Sequence, residues 1–303
     1  MSDQGSSPFT DGEDLGDQAL ALAAGAGDAS ALDQLVRRHQ RWIYNLALRF
    51  LLNPDDAADL AQEALIRILT RIGQFEGRSA FRTWAYRIVV NTFLDAKKGR
   101  LEPHIVSFES YGDELDAMPL EPLRLDAEFE PERRLIVKET KIGCMLGMLL
   151  CLSREQRLTY IIGEIFAAPS SVGGELFGIS AAAFRKRLER ARSDLTHFMD
   201  SKCGLIEKSN PCRCEKKTSA FIEAGWVDPR QRRFVDEKLE QVKDVAPRQS
   251  KSLDGLLDGK YAELFRRHPS YVGPDLAARL GEILQDPEMR QTFDLRDDGR
   301  LLE

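Results

Sequence analysis

Four groups of side chains in this sequence have the types and spacing to do chemistry. Cys203, Cys212 and Cys214, with His197 six residues before the first, form a candidate four-ligand metal set, and Asn210-Pro211 can turn the chain between them. Thiolate-rich sets suit Zn(II), Cu(I) or another soft ion, although this spacing fits no common zinc-finger template and isolated thiols are the competing reading. Asp59, Gln62 and Glu63 fall at i, i+3 and i+4 of one stretch, so a helix there presents them as a single polar patch able to meet a basic or polar partner. Phe75, Ile88 and Asn91 supply an aromatic ring, an apolar wall and an amide, the combination that captures an unstacked base and reads its edge. Two basic blocks, Arg78, Arg82, Arg87, Lys97 and Lys98, then Arg185, Lys186, Arg187, Arg190 and Arg192, carry few opposing acids and can neutralise phosphates. No glycine-rich phosphate loop, His-Glu-x-x-His or Ser/His/Asp context is present, so the expectation is a non-enzyme.

The elements that must position these residues are helices. Leu32, Leu35, Val36, His39, Trp42, Ile43, Leu46 and Phe50 recur at three- and four-residue spacing, which predicts one apolar helical face. Asn53-Pro54 then caps and starts a second helix carrying Asp59, Gln62 and Glu63, and Ser79 can cap a third whose Phe81, Trp84, Ile88 and Thr92 face inward. Further on, Gly178-Ile179-Ser180 followed by the basic amphipathic run Ala181 to Phe198 has the turn glycine, apolar residue and capping Ser of a helix-turn-helix. The fold class predicted is all-α.

Charge and proline divide the 303 residues into segments. Residues 1–28 hold six acids and no Lys or Arg, which predicts an acidic flexible leader followed by a short helix start. Residues 29–101 form a first small helical domain. Residues 102–132 hold ten acids, one Arg and four Pro, which reads as an acidic linker. Residues 133–202 form the second helical domain, ending in the helix-turn-helix. Residues 203–303 make a Cys-containing junction and a helical C-terminal extension whose aromatic and aliphatic side chains need something to pack against. Cys144 and Cys151, seven apart in an apolar helix, read as core. The apolar run around Ile142 to Leu152 is too short to span a membrane, and Met1-Ser2-Asp3-Gln4 begins no secretory signal, so a cytoplasmic location and no membrane insertion are expected.

Three pieces then carry a resemblance. Asp59-Leu60-Ala61-Gln62-Glu63, Phe75 to Trp84 and Arg87-Ile88-Val89-Val90-Asn91 resemble, in order and spacing, region 2 of the extracytoplasmic-function (ECF) group of bacterial RNA polymerase sigma factors. Phe184 to Leu195 resembles the end of that family's region 4. The resemblance implies a region 2-like domain and a region 4-like helix-turn-helix domain joined by the acidic linker. It also implies a promoter-specificity subunit that binds core RNA polymerase through its clamp and flap regions, recognises −10 and −35 promoter DNA and supports strand opening. It assigns Asp59, Gln62 and Glu63 to polymerase binding. Phe75, Ile88 and Asn91 become the pocket for a flipped −10 base, with Arg78, Arg82, Arg87, Lys97 and Lys98 on nearby phosphates. In the second domain, Arg185 and Lys186 become base readers of the −35 element, and Arg187, Arg190 and Arg192 phosphate contacts or intramolecular partners. An anti-sigma factor as partner, regulation in cis by the C-terminal extension and Zn or another soft metal at the thiols are further implications. The rival classes are a freestanding helix-turn-helix regulator and a metal-responsive helical adaptor. One departure stands out: Val172-Gly173-Gly174 replaces the family's usual Glu-Ile-Ala, and paired glycines predict a supporting helix that is short, shifted or loosely packed.

Overall fold

A computed structural model describes residues 14–103, 107–234 and 273–284. Among these residues every regular element is helical. They fall into two compact units: one within Met1–Arg100, Ile161–Leu188 and Ser270–Glu303, the other within Leu101–Tyr160 and Glu189–Pro269.

The first unit is built on α1 (Asp14–Gly25), α2 (Ala29–Leu51), α3 (Pro54–Leu69) and α4 (Phe81–Asp95). The expected apolar face of α2 is buried from Leu32 to Phe50 except at Trp42, which is half-buried. Asp28 accepts a hydrogen bond from the Ala31 amide to start it, and Leu52 ends it in the left-handed region at φ 60°. Asn53 caps α3 by accepting from the Asp55 and Asp56 amides, with Pro54 opening the helix as the sequence predicts. Ser79 does not cap α4; Ala80 occupies that position without a side-chain bond, and the Ser79 hydroxyl donates to the Ala80 carbonyl instead.

The acidic leader expected over residues 1–28, flexible until a short helix start, is corrected in the extent of that helix: residues 14–25 form α1 and pack on α2 and α4. The reason is Asp17, whose carboxylate is 1% exposed. It meets Arg38 Nη1 at 2.9 Å, His39 Nε2 at 3.2 Å and Arg82 Nε at 3.2 Å. Its partners lie in helices remote in sequence, so counting local acids could not find them. The unit is completed by α8 (Ser170–Phe177), which packs on α4, by the first turns of α9 (Ala181–Lys202), and by α11 (Leu276–Leu284), which packs on α2 and α3.

The second unit contains α5 (Phe108–Ala117), α6 (Arg133–Leu150), α7 (Arg154–Tyr160), the remainder of α9 and α10 (Cys214–Glu223). The acidic linker expected over 102–132 is therefore corrected too. A capping box at Ser107 and Ser110 starts α5, Tyr111 is buried, and its hydroxyl donates to the Cys144 carbonyl at 3.1 Å. Glu102 is buried as well and holds Arg157 at 2.8 Å, while that guanidinium also donates to the carbonyls of Leu149, Leu150 and Leu152. Prolines at 119, 122 and 131 confine the helix rather than prevent it, and partners beyond the segment neutralise part of its charge. Glu139 of α6, also buried, accepts from the Arg233 and Phe234 amides, so the extension up to residue 234 is tied into this unit. Residues 235–272 and 285–303 of the expected helical extension lie outside the described residues.

Candidate nucleic-acid interface

On α3, Asp59 and Glu63 are exposed and Gln62 is half-buried, so the three residues form the expected patch. Glu63 pairs with Arg67 one turn on, at 2.6 Å, and both ends of that pair remain accessible.

The −10 candidates divide. Asn91, Arg87, Arg78, Lys97 and Lys98 are exposed, with Arg78 pairing to its neighbour Glu76 at 2.6 Å. Phe75 is buried, with its ring centroid 5.6 Å from that of Phe81 and 5.5 Å from that of Trp84. Ile88 is buried beside Thr92, whose hydroxyl donates to the Ile88 carbonyl. Arg82, expected among the phosphate contacts, has a guanidinium only 13% exposed and engaged with Asp17. Trp84, expected in the core, is half-exposed. With Arg87 and Asn91 at i+3 and i+7, it gives α4 a strip of aromatic, cation and amide. The spacing was visible in the sequence; the choice between Phe75 and Trp84 as the accessible ring was not.

The helix-turn-helix is α8, a turn at Gly178 and α9. Gly178 sits at φ 64° and its amide donates to the Glu175 carbonyl, while the Ile179 amide returns to Gly174. Ser180 caps α9 as expected, its hydroxyl accepting from the Ala183 amide at 3.1 Å. The paired glycines make α8 short, eight residues, but not loose. A Cβ on Gly173 would lie 2.4 Å from the Phe184 ring, and one on Gly174 would lie 2.8 Å from the Ile179 carbonyl oxygen. Missing side chains let the two helices meet at backbone distance. Along α9, Arg185, Lys186 and Arg190 are exposed, whereas Arg187 and Arg192 are half-buried. Arg185 donates to the Ser170 hydroxyl at 3.2 Å, and Arg187 lies over the Phe177 ring at 5.5 Å.

Among the described residues no three His, Cys, Asp or Glu side chains are placed to hold a metal ion, so the set His197, Cys203, Cys212 and Cys214 is not assembled. His197 is exposed on α9, and the three cysteines are half-buried free thiols. Burial pushes the Cys214 thiol up to about 12, with further upward pushes from Cys203 and Cys212. No helix among the described residues is long and apolar enough to cross a membrane.

The sigma-70 region 2 family matches residues 35–100, which is α2 to α4 without α1. Over 185 residues the chain is 29% identical to the ECF RNA polymerase sigma factor SigE of Mycolicibacterium smegmatis, covering 59% of this chain and 66% of that protein. It is 26% identical to the RNA polymerase sigma factor NccH of Alcaligenes xylosoxydans xylosoxydans, over 61% of this chain and 95% of NccH. Over a shorter stretch it is 45% identical to the RNA polymerase sigma-H factor of Pseudomonas aeruginosa, covering 29% of this chain and 46% of that protein. It thus spans just under two thirds of the first relative's length and about half of the third's. The helical body carrying the α3 patch and the α4 strip is a sigma-70 region 2 domain. Over 59% to 61% of its length the chain is similar to RNA polymerase sigma factors, SigE of the extracytoplasmic-function group among them.

Proposed function

We propose that this chain is a promoter-specificity subunit: it docks on core RNA polymerase through α3, captures an unstacked −10 base on α4 and reads −35 duplex with α9. The observation that carries the reading is the α4 strip. Trp84, Arg87 and Asn91 line one face of a helix in a region 2 domain, with Arg78, Lys97 and Lys98 exposed as further cations. An accessible ring stacks on a base, an amide pairs with its edge, and cations hold the displaced backbone. Phe75 enters as the buried support beside Trp84, and Ile88 as the floor behind Asn91. On α9, exposed Arg185 and Lys186 suit the acceptor pair of guanine in the major groove, and Arg190 a phosphate. Arg187 and Arg192, half-buried, act first as packing partners within the protein. The reading needs no cofactor. The exposed acidic patch of α3 and the basic face of α9 are also surfaces on which an anti-sigma partner of opposite charge can compete.

Three measurements test it. Asp59→Lys with Glu63→Lys should weaken binding to core polymerase at least tenfold while leaving helicity unchanged, because exposed charges add little to stability. Wild-type affinity for core would remove the α3 assignment. Asn91→Ala should slow strand opening, read by permanganate reactivity of unpaired thymines, with little effect on initial duplex binding. Arg185→Ala should instead weaken duplex binding and relax −35 preference by roughly 1 to 3 kcal/mol, the worth of one bidentate base contact. Normal initiation by both variants on a cognate promoter would show that the DNA surfaces lie elsewhere.

A further inference from the structure

The sequence groups His197 with Cys203, Cys212 and Cys214 and assigns Cys144 to the core; the second unit groups them differently. His197 is exposed on α9, whereas Cys144 of α6 is half-buried and within electrostatic reach of all three other thiols. Cys212 senses Cys203, and Cys214 senses both, so all six pairs among the four thiols are close. The backbone explains the gathering. Arg213 is extended, at φ −132° and ψ 126°, which sets Cys212 and Cys214 on the same side of the chain. Cys214 opens α10, and α10 packs on α6, which brings it towards Cys144. Gly204 lies against the Cys212 carbonyl and the Arg213 side chain, where any Cβ would collide, so Cys203 comes beside Cys212 across the intervening loop. Asn210 closes that loop by donating to the Asp200 carbonyl at 2.8 Å and the Cys203 carbonyl at 3.4 Å, and Arg213 donates to the carbonyls of Lys208, Asn210 and Cys212. Cys151 supplies the contrast within the same chain: its thiol donates to the Gly147 carbonyl at 3.6 Å, and its charged neighbour is Arg157 rather than a thiol.

We propose that Cys144, Cys203, Cys212 and Cys214 form a Zn(II) site that fastens the C-terminal end of α9 to α6 and α10. Four thiolates are a ligand set that tetrahedral Zn(II) accepts, and none of the four cysteines has another covalent partner. Four thiolates around a divalent ion leave net negative charge, and the surroundings answer it. Lys217 and Arg213 ease negative charge on Cys212, and Lys141 does so on Cys214. Lys217 is itself buried, its ammonium fixed by donating to the Leu115 and Met118 carbonyls, so this cation is positioned before any ion arrives. Access is open, because all four thiols are half-buried and a Cβ on Gly143, next to Cys144, would meet nothing within 4 Å. Among the described residues no three such side chains already stand as a ligand set, so binding must draw the loop inward. That loop is held by side-chain bonds to carbonyls, which can shift without unwinding a helix.

The test uses the full chain, purified with a reductant, and titrates it with Zn(II) against a chromophoric chelator and separately with Co(II), whose thiolate complexes absorb strongly in the visible. Zn(II) should bind with one-to-one stoichiometry and raise the melting temperature, and Co(II) should give the spectrum of a tetrahedral four-thiolate site. Cys144→Ser and Cys212→Ser should each lower Zn(II) affinity by more than the roughly 10- to 100-fold that an outer-shell partner is worth. His197→Ala and Cys151→Ser should bind as the wild type does. The Co(II) spectrum of the wild-type chain depends on no variant, so a Cys144→Ser protein that fails to fold does not decide the result. A wild-type chain that takes up no stoichiometric Zn(II), or that pairs these cysteines as disulfides instead, would overturn the proposal. So would loss of the ion in His197→Ala with retention in Cys144→Ser.

Discussion

Gly173→Leu should cost the protein its −35 duplex binding, by more than tenfold, and lower its melting temperature by several degrees. The Phe184 ring is fully buried and blocks the position of the new Cβ before the rest of the leucine is counted. Neither partner has an inexpensive escape: Phe184 is held at the start of α9 by the hydrogen bond its amide donates to the Ser180 carbonyl, and α8 is held by its packing on α4. Overpacking a tight contact costs typically 1 to 3 kcal/mol, and here the response must be a shift of α8 against α9, which moves Arg185 and its Ser170 support together. Gly178→Ala is the calibrating variant. Nothing lies within 4 Å of its Cβ, so only the left-handed backbone at φ 64° resists, for about 1 to 2 kcal/mol. Circular dichroism melts and duplex titration should therefore order the variants wild type, Gly178→Ala, Gly173→Leu. A Gly173→Leu protein that melts and binds like wild type would mean that α8 and α9 do not meet as described.

These glycines show where sequence reasoning reached and where it stopped. Their propensity forecast a short helix, and α8 is short; it could not forecast that the missing side chains are filled by Phe184, because that is a contact between helices. Periodicity and capping placed α2 and α3 well, since both signals are local and written in adjacent turns. The failures have a common origin. Counting net charge locally makes acid-rich segments look solvated, yet Asp17 is neutralised by Arg38, His39 and Arg82, and Glu102 by Arg157. The same local count makes Arg82 look available for DNA although it engages Asp17. In a basic block every cation looks available, and only tertiary structure shows which are already engaged. Phe75 is the more covered ring and Trp84 the less covered one for a related reason, since their contact is tertiary and the sequence does not say which of two clustered rings faces out.

The Asp17 cluster is where that lesson has its largest energetic consequence. Asp17→Asn should destabilise the protein by about 3 to 5 kcal/mol, the usual cost of removing one partner from a buried ion pair. Arg38 contributes little to that cost because its side chain is half-exposed and water can replace the carboxylate. Arg82 and His39, 13% and 6% exposed, cannot be rehydrated without opening α1 from α2 and α4. Burial alone would raise the Asp17 carboxyl, but hydrogen bonds from His39, Arg38 and Arg82 and the charge of His39 outweigh it and hold the group well below its ordinary value of 3.8. The sign of the pH dependence follows. Below 3.8 the unfolded chain takes up a proton that the folded chain still refuses, so this contribution is complete at neutral pH and drains away as the solution is acidified. Urea unfolding should show the gap between wild type and Asp17→Asn wide at pH 7 and narrowing steadily below about pH 4. Adding Arg82→Met to Asp17→Asn should recover part of the loss at neutral pH, since it removes the stranded cation and leaves an apolar chain of similar length. Because Arg82 stands in the first turn of the helix that carries Trp84, Arg87 and Asn91, the single variant should also open promoter DNA more slowly than its stability alone predicts, and the double variant should not repair that defect, having lost the tie between α1 and α4 in either case. A gap that stays constant down to pH 3 would show that the carboxylate of Asp17 is not what holds the two helices together.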